Sequence, residues 1–343
     1  MTFSINTEIT EADPQLLPPV GGATTRGGKR RSRSAILLGR LFSNRGAGFG
    51  VVVLVLLFLF AFVGPLVSGW SYSELDYTAL RKPPNAEHWF GTNNIGQDVF
   101  TQTARGMQKS LLIGLLVALF ATGLAGFLGA AAGYFGGLTD RFIMFAVDAL
   151  LVLPSFLIIA ILSPRIKQYG WVILVVLLAA FSWMVTARVI RSMTLSIRER
   201  EYVRAAQYMG IGDFTIIARH ILPNVASFLI IDATIAVGGA VLGEASLSYF
   251  GFGVQSPDVS LGTLIAQNQG AALTSPWLFF FSAVGLILFA LAANLLGDGL
   301  RDAFDPTSLA GKRLPRGKSA SRQTAGAGPD ESAEPITTGR KHR

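Results

Sequence analysis

The chain has no cysteine, only three histidines and few charged residues for its length, and these shortages exclude several classes of protein. Without cysteine it forms no disulfide bond, offers no thiol nucleophile and holds no cysteine-ligated metal. His88, His220 and His342 are too scattered to form a ligand cluster, so solvated or capping roles are favoured for each and no metal is expected. Charged residues make up 15% of the 343 residues and hydrophobic residues 51%, which is a poor composition for soluble domains.

The hydrophobic residues are grouped into runs long enough to cross a bilayer, which takes about 20 predominantly apolar residues. Six such runs are present, and their bounds are 49–69, 111–133, 142–163, 171–187, 225–243 and 277–297. We do not expect the first run to be a cleaved signal peptide, because a long basic segment precedes it. The sequence therefore predicts an all-α membrane protein with six transmembrane helices.

Positive charge is distributed unevenly between the connections. Of the 29 Lys and Arg residues, 23 lie before the first run, between runs two and three, between runs four and five, or after run six. By the positive-inside rule, both termini and the connection between runs four and five are expected in the cytoplasm. The net charge of +8 is then mainly a topology signal, with anionic lipid as the expected contact and nucleic acid not expected as a partner.

Three regions follow from composition: a basic N-terminal tail over 1–45, a six-span domain over 46–306 and a C-terminal tail over 307–343. The tails are rich in small, polar and charged residues and are expected to be largely disordered. Residues 317–319 resemble the end of a phosphate-binding loop, but Lys312 stands where its first glycine is required. We therefore expect no ATP and no other cofactor on this chain, and a transporter built from it needs a partner or an ion gradient as its energy source.

The connection between runs four and five reads EYVRAAQYMGIGDFTIIARHILPN over 201–224. Gly210 and Gly212 predict the end of one short helix and a turn, and Asp213 is placed to cap the next helix. Leu222 and Pro223 are expected to stop that second helix just before run five. The predicted unit is a helix-turn-helix held between two membrane spans.

Small residues on the first of these helices indicate a surface that a partner approaches closely; they are Ala205, Ala206 and Gly210. The isoleucines of the second helix, at 216, 217 and 221, give it an apolar side that can lie against the spans. An interfacial amphipathic hairpin without a partner is the alternative interpretation.

The pattern Ala205-Ala206, Gly210 and Ile221-Leu222-Pro223 resembles the EAA loop, here 199–224, by which permease subunits of bacterial ABC importers dock on their ATPases. Where the motif has its glutamate this chain has Arg204, with Glu201 one turn earlier. The role of that glutamate is therefore not carried over. Whether Glu201 compensates by pairing with Arg204 is left open by the sequence.

Four further stretches resemble the C-type permease subunit of dipeptide, oligopeptide and nickel importers. They are HWFGTNNIGQDVFTQTARGMQKSLLIG over 88–114, DALLVLPSF over 148–156, GEASLSYFGFG over 243–253 and NLLGDGLRDAFDP over 294–306. In the first of them Asn93 and Gln97 replace an acid and a base, so an ion pair between those positions is absent here.

The resemblance implies a type I ABC importer permease fold with a cytoplasmic coupling helix between spans four and five. It implies a non-catalytic subunit of the bacterial inner membrane with several partners: a second, B-type permease, two ATPase subunits or domains that hold ATP and Mg, and an extracytoplasmic solute-binding protein. Peptides are the expected substrates, with nickel chelates and related solutes also within the range of the family.

Polar residues within the runs are candidates for the translocation path, because they are costly in a bilayer. Asp232 is expected near the midplane, either facing the path, where it suits a cationic amino group, or hydroxyl-bonded between helices. Asp148 and Glu244 lie closer to the two interfaces, where structural roles are more common. Pro154 is expected to kink run three.

Two other functions are compatible with a six-span chain. An ion-gradient-driven secondary transporter or channel needs its own coupling-ion site, often within an internal repeat, and the sequence shows no clear repeat. A membrane-embedded hydrolase needs a nucleophile and a base inside the bilayer, and none of the histidines lies in a run. The sequence therefore favours an ABC importer permease.

Overall fold

The structure is a computed structural model. It describes Gly39 and residues 41–304, without the side chains of Ile166 and Lys167. The helices of this part are α1 Arg45–Val67, α2 Val99–Phe135, α3 Gly137–Val152, α4 Ser155–Ile166, α5 Trp171–Ser182, α6 Met184–Arg198, α7 Glu201–Tyr208, α8 Asp213–Ile216, α9 Leu222–Tyr249, α10 Leu261–Asn268 and α11 Pro276–Phe304. The predicted all-α class is confirmed for these residues. The tails expected to be disordered lie almost wholly outside them.

Four helices of the described part are long and apolar enough to cross a membrane: α1, α2, the continuous helix Asp213–Tyr249, and α11. Two bent pairs meet the same criteria together, α3 with α4 at 82° and α5 with α6 at 45°, so the number is six if each pair forms one span. These six units coincide in order with the six predicted runs.

Helices α2 and α6 extend well beyond their predicted bounds, as does the continuous helix Asp213–Tyr249. Helix α2 begins at Val99 rather than near Leu111, because Asp98 caps it by accepting a hydrogen bond from the Thr101 amide at 2.8 Å. Helix α6 continues to Arg198 rather than ending at Ala187. Its polar last turns are stabilised by contacts such as the ion pair of Arg191 with Asp140 of α3.

Run three is broken rather than kinked. Helix α3 ends at Val152 and α4 begins at Ser155, with an 82° bend between them. Leu153 is extended, as expected for the residue before Pro154, because the proline ring disfavours a helical conformation there. The prediction of a simple kink at Pro154 was therefore wrong in degree.

Helix α2 runs through the centre of the bundle and packs against α1, α5, α6 and α9. Its glycines allow the closest approach, since a Cβ atom added at Gly129 would lie 2.5 Å from the Ala187 carbonyl oxygen and one at Gly133 would lie 2.7 Å from that of Arg191. In a bilayer, where apolar burial gives little drive for helix association, such close backbone contact supplies much of the packing.

Candidate functional site

The connection between α6 and α9 forms the predicted helix-turn-helix (residues 199–221), which we call the coupling hairpin after the role that the resemblance predicts for it. Helix α7 ends at Tyr208, and Gly210 follows with φ +73, the left-handed conformation that glycine adopts without a Cβ clash. The Ile211 amide donates to the Ala206 carbonyl at 3.1 Å, which closes the helix end. The predicted turn at Gly210 is confirmed, and Gly212 serves as the N-cap of α8.

One side of the coupling hairpin is buried against α2 and α6. Its buried residues form one apolar cluster with Ala130 and Tyr134 of α2 and Ile190 of α6; they are Val203, Ala206, Ile216, Ile217 and Ile221. The predicted apolar side of the second helix is thus confirmed. Ala206 belongs to this buried side, whereas Ala205 and Gly210 are exposed.

The other side presents large apolar side chains at the turn. Tyr208 is 91% exposed, Met209 72% and Phe214 66%. A cluster of exposed aromatic and aliphatic residues on a polar rim is typical of an interaction surface.

Polar contacts fix the coupling hairpin to the end of α2. The Tyr134 hydroxyl donates to Asp213 Oδ1 at 2.8 Å and accepts from Gln207 Nε2 at 3.2 Å. Arg198 Nη1 donates to the carbonyl oxygens of Gly133 and Tyr134 at 3.2 and 3.1 Å. The sequence predicted that Asp213 caps α8, and this was wrong. Its carboxylate makes no capping bond and instead accepts a hydrogen bond from Tyr134.

Arg204 pairs with Glu199, not with Glu201. The guanidinium beside it lowers the pKa of Glu199 below its ordinary value, and the same hydrogen bond raises the pKa of Arg204. Glu201 lies exposed in the first turn of α7, where a carboxylate is favoured by the helix dipole. The question that the sequence left open is answered: no pairing of Glu201 with Arg204 occurs among the described residues.

Leu222 and Pro223 do not stop the second helix. Helix α8 continues through a π-helical turn, Ile217–Ile221, directly into α9, so that Asp213–Tyr249 is one continuous helix. Pro223 is tolerated because it directly follows this π-helical turn, whose changed hydrogen-bond pattern leaves no acceptor that requires its missing amide hydrogen. The predicted break between hairpin and span was therefore wrong.

The two acidic residues of α9 differ in their surroundings. Asp232 is partly buried and accepts a hydrogen bond from the Thr186 hydroxyl of α6 at 2.9 Å. Glu244 is fully buried and accepts from the hydroxyls of Ser110 of α2 at 2.8 Å and Ser248 at 2.6 Å. Both satisfy their carboxylates with hydroxyl groups rather than with a basic residue.

The Glu244 contacts also hold neighbouring backbone. Ser110 Oγ accepts from the Leu261 amide at 3.3 Å, and Ser248 Oγ accepts from the Val254 amide at 3.0 Å. The carboxylate is therefore the centre of a buried polar network that joins α2, α9, α10 and the connection between α9 and α10.

Asp148 of α3 forms an ion pair with Arg188 of α6, and both side chains are about half exposed. Pro154 lies one and a half turns further along the chain, at the break between α3 and α4. The structure thus places Asp148, Asp232 and Glu244 in three separate settings rather than in one pocket.

Sequence reasoning missed two buried polar side chains at the other end of the bundle, those of Lys109 and His88. Lys109 of α2 is 7% exposed, pairs with Asp258 Oδ1 at 2.9 Å and has its ammonium 4.6 Å from the centre of the Trp171 ring. His88 is 1% exposed between Asp98 at 2.9 Å and Asp76 at 3.4 Å. The prediction of a solvated or capping His88 was wrong. The available signal for its buried contact was Asp98, the helix cap ten residues later in the chain.

Asn93 and Gln97 keep a contact at the positions where the resembled motif has an acid and a base. Asn93 Nδ2 donates to Gln97 Oε1 at 2.9 Å, so a neutral hydrogen bond takes the place of an ion pair.

Comparison with known proteins agrees with this architecture. Residues 125–308 match the family described as binding-protein-dependent transport system inner membrane component, and residues 32–84 match the N-terminal TM domain of oligopeptide transport permease C. The chain is 52% identical over 278 residues to the oligopeptide transport system permease protein OppC of Mycobacterium tuberculosis (strain ATCC 25618 / H37Rv), covering 81% of this chain and 96% of that protein.

Other relatives are more distant and align over a similar length. The chain is 37% identical over 269 residues to a putative peptide permease protein of Brucella suis biovar 1 (strain 1330), covering 78% of this chain and 89% of the relative. It is 34% identical over 267 residues to OppC of Bacillus subtilis (strain 168), covering 78% and 87%. The hairpin, the apolar helices and these alignments together show that the chain belongs to the inner membrane permease components of binding-protein-dependent ABC transport systems.

Proposed function

We propose that the chain is the OppC-like permease subunit of an ATP-driven importer of oligopeptides. It forms the translocation path together with a second, B-type permease and receives peptide from an extracytoplasmic solute-binding protein. The identity to oligopeptide permeases over nearly their whole length supports this substrate class.

In this proposal residues 46–306 form six spans in the type I permease fold, with each bent helix pair counted as one span. Both termini and the coupling hairpin face the cytoplasm of a bacterial cell. The basic residues around the hairpin, among them Arg198, Arg204 and Arg219, support this orientation because positive charge accumulates on the cytoplasmic side.

The coupling hairpin docks on the ATPase subunits, and one observation carries this assignment: exposed apolar side chains stand on a rigidly anchored support. Tyr208, Met209 and Phe214 face outward, while Tyr134 and Arg198 fix the hairpin to the spans. A partner that binds this surface therefore moves the bundle rather than a loose loop. ATP and Mg²⁺ are held by the ATPase subunits, and this chain is non-catalytic and carries no cofactor.

Within the hairpin we propose distinct roles for the sequence-predicted residues. Ala205 and Gly210 are exposed and leave room for the ATPase surface, whereas Ala206 and Asp213 hold the hairpin to α2. Glu201 and Arg204 lie on the exposed side of α7, where the ATPase is expected, and Gly212, Leu222 and Pro223 shape the second helix.

For the path we propose that Asp148 and Asp232 face it in at least one transport state and that the break at Pro154 shapes its wall. Glu244 we assign to structure, since its carboxylate is completely buried and satisfied by hydroxyl groups.

The test uses the assembled complex, in which the absence of native cysteine makes labelling of this chain specific. A cysteine at Met209 should cross-link to a cysteine placed on the ATPase. Gly210→Glu should abolish that cross-link and uncouple ATP hydrolysis from peptide uptake, because a charged side chain fills the exposed turn.

Gly251→Glu is the matched control. Gly251 also has positive φ, +82, and open space around it, but it follows the opposite end of α9. This variant should keep the Met209 cross-link. If Gly210→Glu preserves both the cross-link and uptake, the hairpin is only an interfacial element; uptake by the isolated chain under an ion gradient would favour a secondary transporter instead.

A further inference from the structure

The ion pair between Asp148 and Arg188 joins two spans and is about half exposed. The Arg188 side chain is 49% exposed and that of Asp148 61%. By contrast, Lys109 and Glu244 are both buried within the bundle. The surface that carries Asp148 and Arg188 is formed by α3 and α6, each half of a bent span.

Both residues lie near one end of their apolar runs. Asp148 is six residues inside the third run, about 9 Å at 1.5 Å per residue, and Arg188 directly follows the fourth run. An ion pair facing hydrocarbon at that depth is strongly unfavourable. The exposed face of this pair therefore meets water or another protein surface.

A second ion pair joins the same two helices and provides an internal comparison. Arg191 contacts both carboxylate oxygens of Asp140, through Nε and Nη2, and the exposed fractions are lower, 32% and 18%. Arg188 contacts Asp148 through Nη2 alone. Among the described residues its Nε and Nη1 have no hydrogen-bond partner, so the guanidinium retains donors for another anion.

The Arg188 face also differs from the face that holds Asp232. Thr186, which donates to Asp232, precedes Arg188 by two residues, and two residues turn an α-helix by roughly 200°. Helix α6 therefore points Thr186 toward α9 and Arg188 toward α3. The more exposed of the two faces is that of Asp148 and Arg188, whose side chains are about half exposed.

We infer that Arg188 binds the C-terminal carboxylate of the peptide in the translocation path, and that Asp148 is the counter-ion that holds Arg188 in the empty path. This inference rests on the proposed peptide importer function. A guanidinium fits a carboxylate through paired N–H donors, and a free peptide C-terminus is an anion that every unmodified peptide carries. Asp148 balances the Arg188 charge between transport events and stays beside it when the carboxylate binds.

The first experiment measures whether water reaches the face of α3 and α6 that carries Asp148 and Arg188. In the assembled complex, Arg188→Cys should react with a small charged methanethiosulfonate reagent about tenfold faster than Leu119→Cys, because the reactive thiolate forms only in water. Leu119 of α2 is the matched control, with a 63% exposed side chain on a span. Equal rates at the two positions overturn the inference, and so does complete protection of position 188 by the second permease.

The second experiment measures recognition. Arg188→Gln should lower kcat/KM for uptake of a free-acid peptide about tenfold more than for its C-terminal amide, since only the acid loses a charge-assisted hydrogen bond. Arg191→Gln, at the comparison pair, should affect both peptides alike. An equal loss for both peptides in Arg188→Gln assigns the pair to structure and overturns the inference.

Chemical restoration covers the case in which Arg188→Gln fails to assemble. Arg188→Cys treated with an aminoethyl reagent regains a cation and should recover preference for the free acid, whereas treatment with a neutral methyl reagent should not. Recovery with both reagents or with neither overturns the inference. Failure of the wild-type complex to take up either peptide contradicts the proposed function itself, and labelling at position 188 still decides whether this face is wet.

Discussion

The coupling hairpin and the connection over residues 250–260 lie at opposite ends of the same continuous helix, Asp213–Tyr249, and different chemistry holds each in place. The hairpin rests on an apolar cluster with polar contacts at its edge. The 250–260 connection is held by buried polar groups, through the Glu244 network and the ion pair of Lys109 with Asp258.

The two ends also differ in what they leave exposed. The hairpin presents Tyr208, Met209 and Phe214 to its surroundings, and its ion pair of Arg204 with Glu199 is solvated. At the other end Phe250 is also 61% exposed, but Glu244 and Lys109 are buried and have partners within the chain. The 250–260 end is therefore held by buried polar contacts, while the hairpin leaves both its ion pair and its turn exposed, as the proposed docking on a partner requires.

The largest expected effect is loss of the Glu244 network. Glu244→Ala should lower the free energy of unfolding by about 2–4 kcal/mol, because it leaves a cavity and removes the acceptor for the Ser110 and Ser248 hydroxyls. Thermal unfolding of the purified complex measures this. Glu244→Gln, which keeps the volume and one acceptor oxygen, should be clearly milder; equal losses would show that the charge itself is required.

The next largest effect is expected at the ion pair of Lys109 with Asp258, where removing one partner should lower the free energy of unfolding more than removing the other. Asp258→Asn leaves the ammonium of Lys109 buried without its counter-ion and should cost about 2–3 kcal/mol, whereas Lys109→Met leaves Asp258 at a partly hydrated position and should cost about 1 kcal/mol. Unfolding midpoints of the two variants, measured in the same detergent, test the order. The reverse order would mean that the Lys109 charge is hydrated in the complex.

At the hairpin end the expected losses of stability are smaller. Gly210→Val forces a β-branched residue into a left-handed conformation and should cost about 1–2 kcal/mol, while Gly210→Asn should cost less because asparagine tolerates that conformation. The two variants should differ in unfolding midpoint yet assemble equally with the other permease. A Val variant as stable as the Asn variant would show that the turn changes conformation on docking.

The smallest effect is expected at Arg204. The pKa of Glu199 is lowered by the Arg204 guanidinium, so this pair contributes stability above the ordinary pKa of a glutamate and loses it as the pH falls through the lowered pKa. Arg204→Gln should therefore differ from the wild type only slightly near neutral pH, and not at all in acid or high salt. A difference that persists in acid would point to packing of the Arg204 side chain instead of its charge.

Much of the fold follows from patterns that act locally in the chain. The six apolar runs predicted the six helical units, and Gly210 predicted the turn, because hydrophobic length and a left-handed glycine depend on few neighbours. The isoleucines at 216, 217 and 221 predicted the buried side of the hairpin for the same reason.

The predictions that failed concern partners and continuity. Asp213 was predicted to cap the helix that it begins, but its carboxylate instead accepts a hydrogen bond from Tyr134, which is distant in sequence. Pro223 predicted a stop, yet a π-helical turn before it places the proline where no amide hydrogen is missed. Lys109 and Asp258 meet only because α2 packs beside the 250–260 connection, and no local pattern signals that contact.

Because the helix from Asp213 to Tyr249 is continuous, it can transmit motion from one end to the other. Its 37 residues span about 55 Å at 1.5 Å per residue, with no loop between the hairpin and the Glu244 end. If the hairpin docks on an ATPase as proposed, a tilt imposed on Phe214 would be transmitted along this helix to Glu244. Gly129 and Gly133 set the distance between α2 and α6, which both pack against this helix, so larger residues there should change how far such a tilt carries without altering either end of the helix.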